Sequence, residues 1–271
     1  MRSKRTIAAG VLVLAALVMA GVAAAAVTPP PAIKKAGHIV FCTDATYPPE
    51  ESIPTGSTSP IGSDIDIAKD VAAQMGVMAQ FKNTGFDGII AALKAKHCDA
   101  VISGMNDTPD RRKQVDFVDY LKVGQSIMVK HGNPEHLGSL ASLSGKSVSV
   151  ESGTTNRDFL AAQSAKLVKK GKKAITIKTF PKDTDAAAAL KAGRVDAYFG
   201  DAPVVVYYVT KDKALQVAGS PIAPIAIGIA IRKGDPLKAA TQKAIAAIIG
   251  NGTMKKIVAK WGMTHAVTLI K

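Results

Sequence analysis

The sequence predicts an α/β protein of two similar lobes, and two observations carry that expectation. Apolar strand-like runs alternate with amphipathic helical stretches, the pattern of parallel βαβ units. A helix end passing into a strand also occurs twice at one spacing: Ala92-Leu93-Lys94-Ala95 ahead of Asp99-Ala100-Val101, and Ala189-Leu190-Lys191-Ala192 ahead of Asp196-Ala197-Tyr198. Alanine-rich composition makes a chance echo easy, yet one such unit in each half is what two lobes require.

Taken in order, the chain opens on Arg2, Lys4 and Arg5, followed by an uncharged run over residues 7–27 that ends in Ala24-Ala25-Ala26. A basic start, an apolar core and a small-residue exit read as a cleaved secretory signal over residues 1–26. The alternative is an uncleaved anchor, which the weakly apolar end and the cleavage-like site argue against. Cleavage would leave 245 of the 271 residues and lower the formal charge from +14 to +11. A length of this kind suits one large or two medium domains. Residues 27–36 form a Pro- and Lys-containing leader, and residues 39–43 read as a buried strand. A helix follows over residues 64–75, with Ile65, Ala68, Val71 and Ala72 on one face and Asp64 as its N-cap. A second helix over residues 85–96 leads into a strand at 100–103. Beyond it, a strand over residues 147–150 precedes a helix over 157–168.

Composition excludes several classes. The lysines are scattered along helical segments and aromatic residues are few, so the positive charge reads as solvated faces and not as a nucleic-acid surface. A module that binds anionic surfaces through this charge is the corresponding alternative, and its binding would be lost at high salt. The five histidines are dispersed with no pair at metal-ligand spacing, and no G-x-S-x-G, P-loop or G-x-G-x-x-G motif is present. No catalytic residue, metal or cofactor is expected. Cys42 and Cys98 each sit in an apolar run and are expected to be two free thiols: placed about three residues apart along neighbouring strands, they would lie about 10 Å apart. Cys42 follows bulky Phe41 far from the apolar segment, so no lipid anchor is expected.

In open α/β sheets ligands lie beyond the carboxyl ends of the strands. Four such ends carry polar groups: Asp44 to Tyr47, Ser103 to Arg111, Glu151 to Asn156, and Gly200-Asp201. The run Ser152-Gly153-Thr154-Thr155-Asn156 opens a helix, where exposed N–H groups suit a carboxylate; plain N-capping by Thr154 or Thr155 is an equal reading. Arg111 offers a planar fork for a carboxylate, or a surface partner for Asp107 or Asp110, the role expected of Arg112. Asp201 is an acceptor at an apolar strand end, or a helix cap before Ala202-Pro203.

These residues fall within a longer series. Thr43-Asp44-Ala45-Thr46-Tyr47-Pro48-Pro49, Gly62-x-Asp64-Ile65-Asp66, Phe86-Asp87-Gly88-Ile89-Ile90, Ile102-Ser103-Gly104-Met105 and Thr108-Pro109-Asp110-Arg111 occur in order. Gly153-Thr154-Thr155, Arg194-Val195-Asp196-Ala197, Gly228-Ile229-Ala230-Ile231 and Trp261-Gly262 continue it. In this series the chain resembles the bacterial extracellular solute-binding family 3, the polar-amino-acid receptors of ABC importers. The resemblance implies a type II periplasmic-binding-protein fold, two α/β lobes joined by two crossing hinge strands. It divides the chain into lobe 1 (residues 37–123 and 227–271), lobe 2 (124–217) and a hinge return (218–226). It implies a periplasmic monomer that takes a small amino-acid ligand and hands it to an inner-membrane ABC permease, with no nucleic-acid partner.

By the family pattern Arg111 grips the ligand carboxylate, aided by Thr155 and the backbone from Ser103 through Gly104 to Asn106. Asp201 receives the ammonium, Tyr47 and Phe86 form apolar walls, and Asp44 faces the ligand side chain. The family's usual aromatics are replaced here by Glu50 and Ser63, and its usual hydroxyl by Asn106. Related chains act as dehydratases on small acids, so an enzyme using Glu151 or Asp44 as acid or base is the alternative class. Arg111 and Asp201 cancel a zwitterion's charges, which leaves Asp44 and Glu151 unmatched on closure. A basic amino acid is therefore expected ahead of a glutamine-like one.

Overall fold

The computed structural model describes residues 27–270; the expected signal segment lies outside the described residues. After a short helix α1 (Pro31–Ala36), the first half runs β1 (His38–Thr43), the hairpin strands β2 (Thr46–Tyr47) and β3 (Glu51–Ser52), α2 (Ser63–Gln74) and β4 (Met78–Asn83). A tight helical turn at Phe86–Gly88 enters α3 (Ile89–Lys94), followed by β5 (Ala100–Val101), α4 (Pro109–Arg112) and β6 (Val115–Lys130). The second half repeats the order: β7 (Ser147–Glu151), α5 (Thr155–Lys169), β8 (Thr176–Phe180), α6 (Asp183–Lys191), β9 (Ala197–Asp201) and α7 (Ala202–Lys211). β10 (Leu215–Arg232) returns to the first half, which ends with α8 (Leu237–Gly250), α9 (Thr253–Lys260) and β11 (Val267–Leu269).

The main sheet runs β4-β1-β5-β10-β6-β9-β7-β8, with β11 paired to β6 off this path. In each half the first strand is central and parallel to both neighbours, β1 between β4 and β5, β7 between β8 and β9. The sequence echo marks equivalent joints in these two units. Asp99 Oδ2 accepts from Val40 N at 2.8 Å while Asp99 N donates to Val40 O, and Asp196 Oδ2 accepts from Ser147 N at 2.7 Å while Asp196 N donates to Ser147 O. One aspartate thus locks the entering strand to the central strand in each half. Helices cover both faces of each unit. Ile39 and Phe41 pack with α2, α8 and α9, while Val101 packs with Ile89 and Leu93 of α3. Val148 and Val150 pack with Leu160 of α5, while Tyr198 packs with Leu190 of α6 and Val204 of α7.

β6 and β10 pair antiparallel along almost their full lengths and carry the chain between the halves. Their register slips between Ala218 and Ile222, between Ile222 and Ile225, and between Ile227 and Gly228. Such irregularities bend and twist a ribbon.

Three details differ from the sequence expectation. Asp64 does not cap α2. The cap position is Gly62, at φ 146°, where a Cβ would run into the Glu50 carbonyl, and Asp64 instead points inward, fully buried. α3 and β5 are shorter than expected, because the turn at Phe86–Gly88 takes up the helix start and the polar end Ser103 lies beyond the ladder. The third is a correction: Cys42 and Cys98 form a disulfide, with Cα atoms 5.7 Å apart. The expectation of free thiols extended β5 back to Cys98 in a straight line. In the structure Lys96 turns the chain at φ 61° after α3. Cys98 therefore lies against Cys42 in the apolar layer under α3 instead of upstream along the strand.

Candidate functional site

The carboxyl ends of β1, β5, β7 and β9 face one another between the halves. A small cavity of about 10 Å³ lies there, lined by Tyr47, Phe86, Ser103, Gly104 and Asn106 from the first half, and by Glu151, Thr154, Asn156 and Asp201 from the second. That is below the roughly 300–1,000 Å³ of most ligand pockets, and direct contacts between the halves account for it. Asp201 N donates to Tyr47 Oη at 3.2 Å, Asp183 N to Thr46 Oγ1 at 3.2 Å, Thr155 Oγ1 to Asn106 Oδ1 at 2.5 Å, and Arg111 Nη2 to the Gly153 carbonyl at 3.1 Å. The halves are closed on each other.

Each predicted residue has a definite place. Arg111 stands at the rim, its α4 turn capped by Thr108, its other nitrogen Nη1 donating to the Asn106 carbonyl at 2.9 Å and its guanidinium 5.3 Å from the Phe86 ring centroid. It pairs with neither Asp107 nor Asp110; Arg112 takes Asp107. Thr154 caps α5, accepting from Arg157 N and donating to the Glu151 carbonyl. Thr155 stands beside it against Asn106, so the N-terminal end of α5 faces the first half. Asp201 occupies the N-cap position of α7 without a side-chain cap, and its carboxylate accepts from Asn156 Nδ2 at 3.2 Å. Asp44, like Arg111 and Thr155, stays out of the cavity lining. Its carboxylate accepts from the Phe86 amide at 2.7 Å and the Thr46 hydroxyl at 2.8 Å, which folds the Phe86 turn over the end of β1. Ser103 Oγ accepts from Asp44 N and donates to Glu51.

The electrostatics are lopsided. Burial raises Asp201 to about 6, against hydrogen bonds from Asn156 and Tyr47 that lower it. Burial also raises Asp44, and it raises Glu151 well above the ordinary range, with repulsion from Asp183, Asp44 and Asp201 adding to the effect. Glu151 Oε1 is buried with no hydrogen-bond partner. Asp183, which accepts from Tyr198 and Tyr208, is pushed up to about 7 by burial. Arg111 is lowered by burial, with Asp201 and Asp158 opposing the shift. Among the described residues, no group of three His, Cys, Asp or Glu side chains is arranged to hold a metal ion.

Sequence reasoning missed three residues here. Asn156 bridges Tyr47 and Asp201, and its position in the first turn of a helix at a strand end was signal enough to include it with Thr154 and Thr155. Asp183 gave no such signal, since it opens α6, where acidic residues are ordinary, and Glu50 was marked only as a departure from the family's usual aromatic.

With this geometry established, comparison with known proteins is informative. Residues 39–264 match the family described as bacterial extracellular solute-binding proteins, family 3. ABC transporter arginine-binding protein 1 of Escherichia coli (strain K12) is 34% identical over 236 residues, 83% of this chain and 91% of that protein. The histidine-binding periplasmic protein of Salmonella typhimurium is 31% identical over 81% of this chain and 85% of that one. Among solved structures, an ancestral arginine-binding protein bound to arginine superposes with a TM-score of 0.76 at 37% identity, covering 83% of this chain and 98% of that chain.

Proposed function

The chain belongs to the bacterial extracellular solute-binding proteins, family 3, and from that membership we propose that it is a periplasmic receptor that encloses one basic amino acid between its halves for delivery to an ABC permease. Arg111 grips the ligand carboxylate, together with the Thr155 hydroxyl and the amides near Ser103 and Gly104. Asp201 takes the ammonium, and Tyr47 and Phe86 flank the aliphatic part. With the halves closed, Arg111 donates to the carbonyls of Asn106 and Gly153. Opening frees both sets of groups, and a ligand replaces those contacts on closure.

One observation carries the ligand class. Asp44, Glu151, Asp183 and Asp201 are each at most 3% exposed around one cleft; Arg111 at its rim acts on Asp201, and Lys182 acts on Asp44. An ionised carboxylate in such surroundings needs a positive partner. A zwitterion with a cationic side chain brings two positive charges and one negative. The lobes are residues 37–123 with 227–271 and residues 124–217, with 218–226 as the hinge return. The mature protein works as a monomer after cleavage of residues 1–26, which mass spectrometry of exported protein checks.

The test is competition at equilibrium. Purified protein is titrated with arginine, lysine, histidine and glutamine by calorimetry, with melting temperatures in parallel, since a ligand of the native state raises them. Arginine or lysine is expected to bind tightest. Tighter binding of glutamine than of every basic amino acid overturns the ligand class.

A further inference from the structure

We propose that Glu50 is a selectivity residue of the cleft, the carboxylate that favours a ligand with a cationic side chain over its neutral isostere. The inference rests on the amino-acid-receptor reading above. Glu50 sits in the hairpin before β3, only 1% exposed. Its backbone is fixed from both sides, since its carbonyl accepts from Asp64 N at 3.0 Å and Gly62 is packed directly against it.

The side chain lies behind the cavity wall made by Tyr47 and Gly104 and does not itself line the cavity. A Cβ on Gly104 would come 3.9 Å from Glu50 Cγ and 3.2 Å from the Tyr47 ring, and both Gly104 and Tyr47 line the cavity. The Tyr47 ring packs closely against the Gly104 backbone at that point. Glu50 Oε2 is buried with no hydrogen-bond partner, as is the hydroxyl of Ser63, whose amide donates to the Pro49 carbonyl next door. The charges that act on Glu50 are acidic: Asp64 on its own side, and Asp201 and Asp183 across the cleft. Burial first, and then that repulsion, holds the carboxyl well above the ordinary range.

A buried carboxyl with an unpartnered oxygen and acidic neighbours does little for stability. Its chemistry makes sense when a cation arrives. The carboxyl then gives up its proton and becomes the counter-ion of the ligand side chain, whereas a neutral side chain leaves it protonated. It therefore discriminates by charge more than by shape.

The experiment compares arginine with citrulline, its neutral isostere, on the unmutated protein and on Glu50→Gln, by calorimetry. Glu50→Gln is expected to weaken arginine roughly tenfold or more while citrulline stays within about twofold, so that the affinity ratio collapses. An unchanged ratio overturns the proposal. Because the variant could fail to fold, the carboxyl carbon of Glu50 is also followed by NMR in the unmutated protein. It is expected to move to the ionised position with arginine and to stay with citrulline; no movement with arginine overturns the proposal. Unmutated protein that binds neither arginine nor lysine overturns the ligand class and this inference together. Arginine binding with an unmoved ratio overturns the role of Glu50 alone.

Discussion

Arg111 is held by two carbonyls and lies over the Phe86 ring, with no carboxylate as a structural partner. Arg111→Ala is therefore expected to abolish ligand binding in calorimetry while the melting temperature stays within about 2 °C. Retained affinity would return it to a surface role. The acids opposite it make pH a second probe. Asp201 at about 6 and Asp183 at about 7 are both raised by burial, so the folded protein keeps protons that the unfolded chain has released. These groups stabilise the ligand-free protein as pH falls from about 7 toward 5, and that stability is lost as pH rises through the same window. Binding an ammonium needs Asp201 ionised, so affinity moves the opposite way. Melting curves and titrations at about pH 5 and pH 7.5 are expected to show acid raising the ligand-free melting temperature and weakening the ligand. An affinity that is flat over this range contradicts the role of Asp201. At this scale the sequence showed what local chemistry marks: an arginine in a turn, a Gly-Thr-Thr helix start, an aspartate at a strand end. Asp183 was invisible, and Glu50 showed only as a replaced family aromatic, because burial, which gives both their character, is a property of the fold.

Among the elements, the helix-to-strand echo was legible because each unit is local in sequence, and Asp99 and Asp196 show why its aspartate recurs. The cysteines were misread for the same reason in reverse. Periodicity describes straight segments, and the turn at Lys96 that swings Cys98 onto β1 has no periodic signature. The bridge closes a loop of 56 residues, for which chain entropy alone gives about 4 kcal/mol. Replacing both cysteines by serine is expected to lower the melting temperature by more than 5 °C, roughly the shift for a change of this size. Thiol titration of the denatured, unreduced protein is expected to find no free thiol; two would refute the bridge. Helix α2 depends on Gly62 in a similar way. Gly62→Ala is expected to cost about 2 kcal/mol or more, read as a lower denaturation midpoint, since both its φ and the Glu50 carbonyl exclude a Cβ.

For the whole molecule, the alternation of strands and helices announced two α/β units but not how they join. Residues 115–130 and 215–232 pair across a hundred residues, and such long-range pairing leaves no mark in a local window. β6 and β10 carry the chain between the halves, and two of their register slips lie between Ala218 and Ile225; a hinge there is what the proposed receptor needs. Small-angle scattering is expected to show the ligand-free protein more extended than the arginine-bound one; identical profiles would mean that closure is not ligand-driven. The single sheet path has a further consequence, for solubility. Joining two units into one ladder removes the inner edges that two separate sheets would expose, leaving the outer strands β4 and β8 and the three-residue β11. The two long edges carry solvent-exposed lysines, Lys82 on β4 and Lys178 on β8. A second copy that tried to extend the ladder would bring like charges together in the act, so the joined sheet resists polymerising through its own strands.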